Sequence, residues 1–146
     1  MFRVRTAVLR RSGYDIAPSA QCVSTVEFHA PGVSLGARSF CADGVRFFGG
    51  SNSTIAIGAD VQVGPQVTFV ARTHHLGSPA GRAGAPKETV ITVGDGAWIG
   101  ARALLVGPCD VGAGAVVAAG AVVRGRVPPN VLTFGSPPEP DRELPC

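Results

Sequence analysis

Three histidines are the side chains best suited to proton transfer near neutrality, and two of them, His74 and His75, are adjacent within RTHHLGSPAGRAGAPKETV. An imidazole with an ordinary pKa of ~6.5 can take a proton from a hydroxyl or amine at physiological pH, which is the work of a general base. His29 stands apart and suits a corner or solvent-facing position. The three histidines lack the spacing to converge on a metal ion, and Cys22, Cys41, Cys109 and Cys146 show no metal-ligand spacing either. A dinucleotide-binding turn is excluded at its third glycine. Ile99 stands there after Gly94 and Gly96, and Val117 after Gly112 and Gly114.

The elements that hold these residues are read from a hydrophobic beat. Residues 93–123, VGDGAWIGARALLVGPCDVGAGAVVAAGAVV, place an aliphatic side chain at every sixth position: Val93, Ile99, Leu105, Val111, Val117 and Val123. Helices repeat at 3.6 residues and strands at 2.0. A beat of six fits a short strand plus a corner, with three such units closing one triangular turn and turns stacking ~4.8 Å apart. Glycine often follows the beat residue (Gly94, Gly100, Gly112), as expected for a corner with positive φ. Four residues after the beat only small side chains occur (Ala97, Ala103, Cys109, Ala115, Ala121), which suits a narrow interior. The phase extends upstream through Ile57-Val63-Phe69, Leu35-Cys41-Phe47 and Ile16-Cys22-Phe28. The prediction is an all-β parallel β-helix of about five triangular coils. Cys22 and Cys41 then occupy matching inward positions and serve as small core residues.

The chain of 146 residues reads as a single domain, 1–146. Residues 1–15 mix Phe2, Val4, Val8 and Leu9 with arginines and read as an amphipathic cap on the stack. Residues 124–146 hold six prolines and are expected to leave the ladder as a C-terminal cap or tail. Between Phe69 and Val93 the beat pauses for an excursion loop, 72–92, that carries both adjacent histidines. Such a departure from a rigid scaffold is more often functional than filler. A net charge of +3 without interleaved basic and aromatic residues argues against nucleic acid. No apolar run of ~18 residues is present, so no membrane partner is expected. Arg10-Arg11 is followed by no apolar segment or cleavage site, and the chain reads as cytoplasmic with reduced thiols.

Three segments carry a family resemblance. VTFVARTHH ends a strand in Thr-His, VGDGAWIGARALLVG holds aliphatic-Gly-Asp-x-x-Trp-Ile-Gly, and RGRVPPNVLTFGSP follows the last repeats. Together they resemble the hexapeptide-repeat acyltransferases of the maltose, galactoside and antibiotic O-acetyltransferase type, over roughly residues 14–137. The resemblance implies a left-handed β-helix, against the usual right-handed crossover. It also implies a homotrimer with active sites between neighbouring columns, acetyl-CoA as acyl donor to a small-molecule acceptor, and no metal.

The resemblance assigns roles residue by residue. His74, directly after the threonine, is the expected general base, against the plainer possibility of a structural loop histidine. The backbone N–H of Ala101 is the expected donor to the tetrahedral oxyanion. Trp98 either flanks the pantetheine arm or packs a subunit interface. Ala119 and Gly120 let that arm approach the backbone. Arg124 and Arg126 either meet the nucleotide phosphates or form a solvated edge, and Pro128 lies against adenine. Asp43, His75 and Arg82 are candidates for the acceptor side. Three departures qualify this picture. Ala42 stands where relatives often have an acceptor-binding Asn. Glu139 stands where a basic phosphate contact is usual, unless Arg142 replaces it. The N-terminal helical segment of the sugar acetyltransferases is missing. The implied activity is O-acetylation of a sugar, glycoconjugate or secondary metabolite, with N-acetylation of an amino sugar or a non-catalytic scaffold as alternatives.

Overall fold

The computed structural model describes residues 2–140 and 142–145, with side chains from residue 5 onward. Cys146 lies outside them, as do the side chains of Phe2 and Val4, residues that the sequence places in the cap. The beat of six builds a three-sided column of parallel strands. Its first face stacks Asp15–Ile16, Val33–Leu35, Thr54–Ile57 and Val90–Val93, then the distal parts of Leu104–Val111 and Val122–Val127. The second face stacks Gln21–Cys22, Phe40–Cys41, Gln62–Val63, Trp98–Ile99, Val116–Val117 and Leu132–Thr133. The third stacks Glu27–His29, Arg46–Phe48, Thr68–Val70 and the proximal parts of the two longer strands.

Register turns the beat into three inward ladders. Ile16, Leu35, Ile57, Val93 and Val111 lie above one another on the first face. Cys22, Cys41, Val63, Ile99 and Val117 do so on the second, and Phe28, Phe47, Phe69, Leu105 and Val123 on the third. The phenylalanine rings stack with centroids 5.1 and 5.0 Å apart, close to the strand spacing. Cys22, Cys41 and Cys109 are buried free thiols. Cys41 is held above the ordinary thiol range by its hydrogen bond with Cys22 and by burial.

The two kinds of glycine have separate causes, which corrects the expectation about corners. Positive φ falls three residues after the beat, at Arg38, Asp60, Gln66, Arg102 and Asn130 as well as Gly44, Gly96, Gly114 and Gly120. The glycine directly after the beat is needed for close approach between coils. A Cβ on Gly94 or Gly100 would stand 2.5 Å from the backbone nitrogen of Ala113 or Ala119 in the next coil.

The two ends of the column are closed differently. At the first end Phe2–Arg11 is an α-helix, a short addition to a fold that is otherwise strands. Leu9 packs on the core while Val8 faces solvent. Arg5 donates to the carbonyls of Ser24 and Val26, and Thr6 Oγ1 to the carbonyl of Ala20 at 2.9 Å, satisfying acceptors at the open end of the stack. At the other end the prolines do not stop the ladder. Val127 pairs with Val111 and Thr133 with Val117, because Pro128 and Pro129 fall at the corner where no ladder N–H is required. Beyond residue 133 the chain runs outside the column. The excursion is an antiparallel hairpin, Arg72–Leu76 with Ala83–Glu88, and the chain is back on the first face at Val90 rather than after residue 92. Among the described residues no helix is long and apolar enough to cross a membrane.

Candidate active site

His74 lies on the outgoing strand of the hairpin, opposite Pro86, and is exposed. Its imidazole has no hydrogen-bond or ion-pair partner among the described residues. His75 sits at the irregularity between His74 and Leu76 and is exposed as well. The hairpin is tied to the column at its base. Glu88 Oε2 accepts the Asn52 N–H at 2.7 Å, and Thr89 N donates to the Ala71 carbonyl at 2.9 Å. At its far end Arg82 Nη1 donates to the carbonyl of Pro145 at 2.9 Å and, more weakly, to that of Gly77 at 3.4 Å. Arg82 therefore joins the hairpin to the C-terminal segment.

Ala101 occupies the corner between the second and third faces. Its carbonyl accepts the Gly120 N–H at 2.8 Å, while its own N–H has no acceptor among the described residues. The same corner carries Asp43, Pro65, Ala101 and Ala119 in successive coils, linked by Gln66 N to Asp43 O, Arg102 N to Pro65 O and Gly120 N to Ala101 O. Asp43 Oδ1 accepts the Thr25 hydroxyl at 3.1 Å. Ala101, Ala119, Gly120 and Asp43 thus share one edge. His74 leaves from the corner at the opposite edge of the third face, so within one chain the imidazole and the amide stand on two edges of that face.

Arg124, Arg126 and Pro128 come together at the C-terminal end, where they line a cavity of about 860 Å³ with Val122, Ser136 and Glu139. Ser136 closes this end, accepting from Arg124 N at 2.7 Å and donating to Arg124 O at 2.9 Å. Glu139 belongs to the same lining as the two arginines, and Arg142 does not. Trp98 projects outward from the second face, 58% exposed, between Gln62 and Val116. Among the described residues no three His, Cys, Asp or Glu side chains gather as a metal site. The exposed bidentate pair Arg38–Asp60, at 2.7 and 2.6 Å, lowers the Asp60 carboxyl below its ordinary value through its hydrogen bonds.

Gln66 and Arg102 went unread in the sequence. They stand at the left-handed corner position where neighbouring coils have Gly44 and Gly120, and Arg102 Nε donates to Gln66 Oε1 at 2.7 Å. Long polar side chains in a slot that favours glycine are the signal that could have found them.

Stacked six-residue units closing a three-sided column define a left-handed β-helix of the hexapeptide-repeat class. Residues 91–125 match the bacterial transferase hexapeptide (six repeats) model. A Schizosaccharomyces pombe protein that bears an acetyltransferase name is 36% identical over 107 residues, 69% of this chain and 52% of that protein. The galactoside O-acetyltransferase of Escherichia coli is 31% identical over 91 residues, 62% of this chain and 45% of that enzyme. A crystallised hexapeptide-repeat acetyltransferase from Vibrio cholerae superposes with a TM-score of 0.77 at 25% identity, covering 92% of this chain and 76% of its own. That protein has also been solved with acetyl-CoA. The chain carries hexapeptide repeats over residues 91–125 and is similar to these acetyltransferases, and it spans about half the length of the two sequence relatives.

Proposed function

We propose that the chain is an acetyl-CoA-dependent O-acetyltransferase acting on a hydroxyl of a sugar, glycoconjugate or secondary metabolite, as a cytoplasmic homotrimer. The observation that carries this reading is an unpartnered imidazole and an unpartnered corner amide at the two edges of one face. A neighbouring copy of the column can bring one chain's His74 to another chain's Ala101. His74 takes the proton of the acceptor hydroxyl, and the oxygen attacks the thioester carbonyl. The Ala101 N–H holds the resulting oxyanion. Collapse breaks the carbon–sulfur bond, and the departing thiolate receives the proton from the imidazolium. Arg124 and Arg126 hold phosphates of the donor in the terminal cavity, and the small residues Ala119 and Gly120 admit the pantetheine arm to the backbone.

Thiol release from acetyl-CoA, measured across neutral sugars, amino sugars and aminoglycosides, tests the reading. Turnover with a hydroxyl acceptor and none with amines is the expected result. His74→Ala should lower turnover about 10²-fold or more, since general-base catalysis contributes 10²–10⁴, while CoA affinity by calorimetry stays unchanged. Full turnover in that variant removes His74 from the mechanism.

A further inference from the structure

Beside Ala101, on the third face, lies a second groove that the family roles leave unused. It has a volume of about 630 Å³ and is lined by Glu27, Arg46, Gln66, Thr68, Arg102 and Leu104. Arg46 stands between Glu27 and Thr68 in the outward column of this face, its guanidinium carbon 6.0 Å from the centre of the Phe48 ring. That ring is in turn stacked on His29 at 4.9 Å. Arg102 projects from the corner residue next to Ala101 and is oriented by Gln66. Neither guanidinium has a carboxylate within 4.0 Å among the described residues. The one carboxylate in the lining, Glu27, is engaged by His29 at 2.9 Å. Arg102 also holds its backbone at φ +60°, a conformation that disfavours a side chain and that Gly120 supplies one coil further on. Two guanidiniums without an ion pair of their own line this groove, one beside the Phe48 ring and one held by Gln66, and such a lining suits a planar or tetrahedral oxyanion. The terminal cavity, lined by Arg124 and Arg126, lies at the other end of the column from the Glu27 and Arg46 coils.

We propose that this groove receives the acceptor and that the acceptor is anionic, its carboxylate or phosphate held between Arg46 and Arg102. The inference rests on the acetyltransferase reading for the ligand's role, and the groove's preference for an anion can be measured without catalysis. Methyl glucuronide, glucose 6-phosphate and methyl glucoside are titrated by calorimetry into the full chain in the absence of CoA. At least one anion should bind about tenfold or more tightly than the neutral glycoside, the better anion telling carboxylate from phosphate. The preference should fall to about threefold or less in Arg46→Gln and in Arg102→Gln, with CoA affinity unchanged and the circular dichroism of the column retained. Equal binding of the three sugars, no binding of either anion, or a preference that survives both substitutions overturns the proposal. So does weakened CoA binding in the variants, which would assign the groove to the donor. An anion preference that persists while no acceptor is acetylated supports the groove and counts against the acetyltransferase reading.

Discussion

At Gly64 a single methyl group separates two demands on the corner. A Cβ there would stand 2.8 Å from Ala101 N and 3.0 Å from Ile99 O, backbone atoms that cannot rotate aside. At Gly94, on the corner between the first and second faces, a Cβ would meet Ala113 N at 2.5 Å. Gly64→Ala and Gly94→Ala should each destabilise the column by about 1–3 kcal/mol in urea unfolding, the usual consequence of overpacking. Only Gly64→Ala disturbs the amide assigned to the oxyanion, so its turnover should drop about 10²-fold while Gly94→Ala stays near wild type. Equal turnover in the two variants rejects the role of Ala101. Cys109 carries a prediction about pH. Burial, with a smaller contribution from the charge of Asp110, pushes its thiol from 9.0 up to about 11. The unfolded chain gives up this proton near 9.0 and the folded chain keeps it, so between the two values the folded state binds more protons. The stability tied to the neutral thiol is complete at lower pH and is lost as pH rises through that window. Thermal unfolding should fall less steeply across it in Cys109→Ala than in the wild type, and matching slopes exclude Cys109 as the cause.

The stacked strands were legible because one constraint repeats. Every third unit must send a side chain of similar bulk into the same layer, and Phe28, Phe47 and Phe69 show this in the bare sequence. Phe47 is fully buried between its two neighbours, so Phe47→Ala should cost about 3–5 kcal/mol, measured by chemical denaturation. A loss under about 1 kcal/mol would show that the layers relax independently, contrary to close packing. The terminal elements were less legible because their constraints do not repeat. Arg5 acts through carbonyls of residues 24 and 26, a tertiary pairing with no local signature. Proline at 128 and 129 reads as a breaker until the corner register is known. The position of His74 was readable from the pause in the beat, whereas its hairpin depends on cross-strand pairs such as Arg72 with Glu88. The groove of Arg46 and Arg102 was invisible for a further reason. Its members lie in different coils, and only register places them side by side.

On the scale of the whole molecule, an apolar stripe on the second face bears on assembly. Trp98, Val116 and Leu132 are outward neighbours in successive coils, with Trp98 58% and Leu132 55% exposed. Phe134, just beyond the last strand of this face, is 81% exposed. Contiguous apolar surface of this kind marks an interaction site more often than a solvent face. In the proposed trimer it is covered by a second copy, and sedimentation equilibrium should return three times the chain mass of 14.8 kDa. Trp98→Glu separates the two roles open to this side chain. Buried between subunits, the carboxylate has no partner and the species becomes a monomer, with turnover lost because His74 and Ala101 no longer meet. Flanking the pantetheine arm instead, Trp98 can be replaced without dissociation, and only the KM for acetyl-CoA rises. A wild-type monomer that acetylates at full rate would defeat both, since within one chain the third face lies between the imidazole and the amide.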